Sequence, residues 1–145
     1  MLGYADLKKI LPHAYPFLLI DRVIGYEINK SLTAIKNVTG NEWCAEGQVH
    51  NAQHFPETLL IEAAAQAALV LYHISKSKPD HPRPSYFIGH AKAEFLEKVK
   101  IGDRIKIDVT CGKIIDSGGY VNVFMQSENK RVSNLELFFK VSFKS

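Results

Sequence analysis

Pro56-Glu57-Thr58-Leu59-Leu60-Ile61-Glu62-Ala63-Ala64-Ala65-Gln66-Ala67-Ala68-Leu69-Val70-Leu71-Tyr72 is the stretch that decides the architecture. Proline suits the first turn of a helix, where its missing N–H has no partner to lose. Glu57 follows in that turn, where the helix dipole favours a negative charge. The pattern predicts a helix over residues 57–77, with Pro79 just beyond it. Leucine, isoleucine, valine and alanine surround its axis and leave no polar face. A helix apolar on every side is wrapped by the rest of its domain. The alanines let a sheet or a second helix come close. The longest apolar run, 63–72, is interrupted by Gln66 and is shorter than the roughly 20 residues a bilayer span needs.

Two polar side chains interrupt this surface. Glu62 and Gln66 are four apart, so they point the same way. An unpaired buried carboxylate costs on the order of several kcal/mol. Desolvation favours its protonated form, which suits a general acid or base near neutral pH. Taken alone, such a carboxylate is equally well a structural group that caps a loop amide or pairs with a lysine. Gln66 reads as its hydrogen-bonding support.

Outward from the helix, a short helical pattern over 6–11 is ended by Pro12. Residues 17–28 and 31–38 read as strands joined by a turn at Asn29-Lys30. The polar stretch 39–55 is a long loop, of the kind that is functional or covers something. After the helix, strands are expected over 85–95, 104–115, 120–127 and 135–143. Ser117-Gly118-Gly119 gives a hairpin, and residues 128–134 read as a polar turn. The fold class is therefore α+β: an antiparallel sheet wrapped around one long central helix, the hot-dog arrangement. It forms a single domain over 1–145.

Composition narrows the function. The chain has 145 residues, 46% hydrophobic and 23% charged, which is ordinary for one globular domain. A formal charge of +3 without a dense basic run argues against nucleic acid. A mild positive field can still attract an acidic carrier or a phosphate-bearing ligand. Cys44 and Cys111 are the two cysteines; with no Cys-x-x-Cys spacing, neither a metal site nor a disulfide framework is expected. The N-terminus carries Asp6, Lys8 and Lys9 and is unlike a signal peptide, so a cytoplasmic location is expected.

Three separated motifs then resemble one family. Residues 11–23, Leu-Pro-His-Ala-Tyr-Pro-Phe-Leu-Leu-Ile-Asp-Arg-Val, are similar to the N-terminal signature of the β-hydroxyacyl-acyl-carrier-protein dehydratases. Lys36-Asn37-Val38-Thr39-Gly40-Asn41-Glu42 resembles their second signature, and Glu62-Ala63-Ala64-Ala65-Gln66 the start of their central helix. Phe87-Ile88-Gly89, Phe95 and Gly102-Asp103 sit at the expected spacings. The resemblance implies reversible loss of water from a 3-hydroxyacyl thioester, carried by acyl carrier protein or coenzyme A, in fatty-acid or polyketide-type metabolism. It implies no cofactor. A histidine takes the proton at C2, the helix glutamate protonates the departing hydroxyl, and amides near the helix start polarise the carbonyl. It also implies at least a homodimer with the acyl tunnel at the subunit interface, lined by Gln66, Phe55, Phe87, Ile88, Gly89 and Phe95.

The chain departs from that pattern before the helix. Aligned without gaps, Gln48 stands where the family has its catalytic histidine, and Glu57 where it has a glycine. Glutamine can hydrogen-bond a carbonyl but cannot accept a proton near neutral pH. His54, in His54-Phe55-Pro56, is the alternative base under a rebuilt loop. Both His54 and His50 also read as plain loop histidines. Three functions follow: a dehydratase or hydratase; an impaired subunit that binds acyl thioesters or forms a heterodimer with an active hot-dog chain; and a thioesterase using Glu62 to activate water. Trp43 and Phe55 read as covers of core or tunnel, and Asp21-Arg22 as a structural ion pair.

Overall fold

The computed structural model describes residues 1–11, 18–39, 55–76, 85–128 and 130–142. The element order is α1 (Tyr4–Ile10), β1 (Arg22–Glu27), β2 (Ser31–Asn37), α2 (Glu57–Lys76), β3 (Ser85–Phe95), β4 (Arg104–Ile115), β5 (Gly118–Ser127) and β6 (Lys130–Ser142). The strands form one antiparallel sheet in the order β1-β2-β4-β5-β6-β3. This is the expected hot-dog architecture.

Its core is set by alternation. Ile105, Ile107 and Val109 on β4, Val121, Val123 and Met125 on β5, and Leu135, Leu137 and Phe139 on β6 all turn to one face and are buried. Against that concave face lies α2, buried at every position from Ala63 to Tyr72. By length and composition α2 could cross a membrane, but most of it is enclosed by the sheet and its connections. At its far end the Tyr72 hydroxyl donates to the Asp116 carbonyl at 2.5 Å, and its ring meets Tyr86 and Phe139 edge-on. Burial, and then the nearby Asp116 carboxylate, push the Tyr72 phenol up from its ordinary pKa, so it stays a donor. The Ser75 hydroxyl, one turn further, accepts the Asn29 N–H at 2.9 Å and ties the helix end to the β1–β2 turn.

Several boundaries differ from the sequence expectation, and three of them have a local reason. Helix α1 starts two residues early because the Asp6 carboxylate accepts the Gly3 N–H at 3.0 Å and closes the first turn. Strand β6 begins at Lys130, inside the stretch expected to be a turn. The reversal is tight, with Glu128 at φ 54°, and the polar residues after it lie on the strand. Arg131 places its guanidinium 5.0 Å from the Phe124 ring centroid, while Val132 and Ser133 are buried. Strand β1 starts at Arg22 rather than at residue 17. Leu18, Leu19 and Ile20 are buried ahead of it, but the Leu19 N–H is directed into α2 instead of a strand ladder.

The sheet's two edges are unlike. Leu2 exchanges two backbone hydrogen bonds with Val23, at 3.0 and 2.8 Å, and so covers part of β1. Strand β3 pairs only with β6 among the described residues. Ile88 lies opposite buried Phe139 on the concave side, yet it is 42% exposed, and neighbouring Phe87 is 53% exposed.

One row across the concave face reads Val23, Ala34, Ile107, Met125, Ser133, Phe95. Ser133 is the odd member, fully buried, with a hydroxyl that has no hydrogen-bond partner among the described residues. Such an orphan costs about 1–3 kcal/mol. Ser133→Ala is therefore expected to stabilise the fold by about 1 kcal/mol, raising the melting temperature by a few degrees. Thermal unfolding of the two proteins checks this, and a lower melting temperature in the variant would contradict it.

Candidate active site

Glu62 enters the site from the second turn of α2, and Gln66 follows one turn later on the same side. Their exposures are the reverse of a buried acid with a peripheral support. Gln66 is fully buried, whereas Glu62 is partly open. Gln66 Oε1 accepts the Leu19 N–H at 2.8 Å across the core. That bond orients the amide, so its Nε2 points back along the helix and donates to Glu62 Oε1 at 3.3 Å. Leu19, Gln66 and Glu62 thus form one relay from a fixed backbone amide to a carboxylate. Oε1 is held by a donor, which orients the carboxyl group.

The start of α2 is fixed from below. The Phe55 N–H donates to the Val99 carbonyl at 2.8 Å, and the Pro56 carbonyl accepts from Leu59 and Leu60 at 3.0 and 3.2 Å. Phe55 is buried, and Lys36 lies beneath it with Nζ 5.7 Å from the ring centroid. Sequence reasoning does not single out Lys36. It occupies a concave-face position on β2 near Ala34 and Val38, all three buried. Leu19 is missed as well. A backbone donor has no sequence signal beyond its place in the first motif. Asp21 contributes structure through its carboxylate, which accepts the Asn37 N–H at 2.6 Å and fastens the entry of β1 to the end of β2.

The remaining candidates separate. Phe87, Ile88 and Gly89 lie along β3, with a register shift between Ile88 and His90, and Phe95 ends that strand. Gln48, His54, His50 and Trp43 lie outside the described residues. Two histidines are described. His73 follows Glu62 by eleven residues on α2, about 16 Å along the axis, and burial lowers its pKa. His90 rests its ring against Phe138, 5.7 Å between centroids, opposite it on the convex side. Neither is grouped with Glu62.

A profile of the FabA-like domain matches residues 11–135. The chain belongs to the FabA-like family. The match runs from just after α1 into the first half of β6 and includes the whole relay. Among FabA-like relatives, the 3-hydroxyacyl-[acyl-carrier-protein] dehydratase FabZ of Clostridium kluyveri is 37% identical over 143 residues, covering 99% of this chain and 98% of that protein. The FabZ of Janthinobacterium sp. (strain Marseille) is 45% identical over 105 residues, 72% of this chain and 67% of that protein. Among solved structures, the dehydratase heterocomplex ApeI:P from Xenorhabdus doucetiae superposes with a TM-score of 0.74 at 14% identity, over 96% of this chain and 91% of that one. A mutant of the thioesterase PA1618 from Pseudomonas aeruginosa gives 0.70 at 12% identity, over 97% and 94%. At these identities the structures show the shared hot-dog fold.

Proposed function

We propose that this FabA-like protein is a 3-hydroxyacyl-thioester dehydratase whose substrate rides on acyl carrier protein or coenzyme A, with Glu62 as its acid. The observation that carries the reading is the relay from the Leu19 N–H through Gln66 to Glu62 Oε1. It holds one oxygen of the carboxylate with a donor, which supports an oriented carboxyl group as the acid. In the forward direction a base removes the C2 proton, and that electron pair forms the C2=C3 bond. The C3–O bond breaks, and Glu62 gives its proton to the departing hydroxyl, releasing water. His54 is the base, or water held by Gln48 serves in its place. Chains related at 37–45% identity bear dehydratase names, which supports this chemistry over thioester cleavage.

A second copy completes the slot in this reading. Strand β3 is the uncovered edge among the described residues, and concave-side Ile88 is 42% exposed where a partner's strand would shield it. Phe87, Ile88, Gly89, Phe95, Phe55 and Gln66 then line the tunnel. Cytoplasmic placement is consistent with such a substrate.

One experiment tests the whole reading. Purified protein is given a crotonyl thioester, on coenzyme A and on carrier protein, and enoyl absorbance and free thiol are followed together. Sedimentation is recorded in parallel. Enoyl loss without thiol release, from a dimer, is expected. Thiol release would replace the dehydratase with a thioesterase. A silent monomer that gains activity only on adding another hot-dog chain would make it half of a heteromer.

A further inference from the structure

Two antiparallel strands related by a two-fold axis place one residue directly opposite its own copy, because facing side chains lie on the same side of the sheet. Strand β3 pairs only with β6 among the described residues, so its other edge is open to such a copy. It runs from Ser85 to Phe95, and His90 is its middle residue. Pairing over the full length therefore brings His90 to the axis.

Side-chain sizes agree with that register. Phe87, His90 and Lys92 stand on the convex side, opposite Lys140, Phe138 and Glu136 of β6. Ile88, Ala91 and Ala93 stand on the concave side, opposite buried Phe139, Leu137 and Leu135. Gly89 is the extra residue at the register shift, and it keeps both sets on their faces. Counted outward from the axis across that bulge, Ala91 faces the partner's Ile88, Lys92 the partner's Phe87, and Ala93 the partner's Tyr86. Large meets small on the concave side, and a lysine stem covers a ring on the convex side. Phe87 and Ile88, 53% and 42% exposed, both gain cover. With Ala91 on the axis, Lys92 would face the partner's His90; with Lys92 there, two ammonium groups would meet. Like charges directly opposite destabilise a strand pair.

His90 is exposed, and its ring stands edge-on to Phe138, which is stacked in turn on Tyr120. The charged groups around it are Lys92 on its own strand, with Glu94 two residues further, and Glu136 and Lys140 on β6, two residues either side of Phe138. Glu94 is held by Asn134 at 3.3 Å. The nearest groups thus give two cations to one carboxylate, and the second copy repeats them. Protons on two facing imidazoles are not compensated there. An imidazole takes up its charge between about pH 8 and 5.

Resting on the reading that a second copy completes the slot, we propose that His90 faces its own copy across the two-fold axis and makes the dimer, and with it the shared slot, sensitive to acid. Assembly disfavours the doubly protonated pair, so the dimer is tightest where both rings are neutral and loosens as the pH falls.

The test follows subunit exchange between tagged and untagged protein, with sedimentation in parallel, at about pH 8 and about pH 5.5, either side of the imidazole range. The wild type should exchange at least tenfold faster at the lower pH. His90→Gln, neutral at both, should keep one slow rate. His90→Lys, charged at both, should exchange fast at both or sediment as a monomer. The register is read from His90→Cys in a chain that also carries Cys44→Ser and Cys111→Ser. Facing Cα atoms about 4.5–5.5 Å apart lie within the span of a disulfide, so mild oxidation should link the two copies. Glu94→Cys in the same background, four residues from the axis, should not link. A wild-type exchange rate that is the same at both pH values overturns the inference, as does acid sensitivity that His90→Gln retains. Linking through Glu94→Cys but not through His90→Cys overturns the register and the inference with it. Should the cysteine variants fail to fold, the exchange rates of the wild type and His90→Gln decide. A monomer at both pH values sinks the two-copy reading as well, whereas a dimer indifferent to pH sinks only the inference.

Discussion

Glu62→Gln is expected to lower dehydration and hydration by two to four orders of magnitude while leaving the fold in place. General acid catalysis of this kind contributes roughly 10²–10⁴ in rate. Glutamine cannot supply it, since its amide holds no proton that a departing hydroxyl can take. The variant preserves shape, and its Oε1 can still accept from Gln66 Nε2, so the 3.3 Å contact survives the change. The measurement is kcat/KM for a 3-hydroxyacyl thioester and for the matching enoyl thioester. By microscopic reversibility both directions should fall by the same factor. A variant that keeps even a tenth of wild-type turnover would remove Glu62 from the chemistry.

How far the sequence reaches is visible in particular residues. Helix α2 is legible because apolar residues all around an axis have one physical solution, enclosure, and Ala63 through Tyr72 are enclosed. Strands β3 and β4 are legible to the residue: Pro84 and Gly102-Asp103 punctuate their starts, and β4 alternates cleanly. Strand β6 is legible only in its second half. Arg131 and Asn134 lie against Phe124 on the convex face, and polar strand residues of that kind resemble a turn. The start of β1 is misplaced for a reason that concerns the site itself. The run Leu18-Leu19-Ile20 has strand composition, but the Leu19 amide goes to the Gln66 side chain, 47 positions away in sequence. No periodicity announces a bond between a backbone amide and a distant side chain. The pair Glu62 and Gln66 is legible by spacing, whereas which of them is deeper is not. Exposure depends on what the rest of the chain lays over each turn. Lys36 has no signal beyond its place in the second motif, because its burial follows from the register of β2 against β4.

The relay makes a second large effect testable. Gln66→Leu keeps the volume of a side chain that is fully buried, but it removes both hydrogen bonds at once. The Leu19 N–H would be left in the core without an acceptor, at a cost of about 1–3 kcal/mol. For a chain of this length that corresponds to several degrees in melting temperature. Glu62 would lose the Gln66 donor on Oε1 and the share of its orientation that this bond sets. Misplacing a catalytic group by an ångström can cost on the order of 10² in rate. The expected result is therefore a joint loss: a lower melting temperature, and kcat down roughly a hundredfold with KM little changed. Gln66→Glu separates the two roles. Its carboxylate can still accept the Leu19 N–H, and when ionised it has no donor for Glu62, so stability should recover more than activity does. If Gln66→Leu lowers the melting temperature yet turns over at the wild-type rate, the amide is a strut for the segment before β1 and has no bearing on the acid. If both variants are fast, the orientation of Glu62 is set elsewhere, and the relay cannot be the feature on which the chemistry depends.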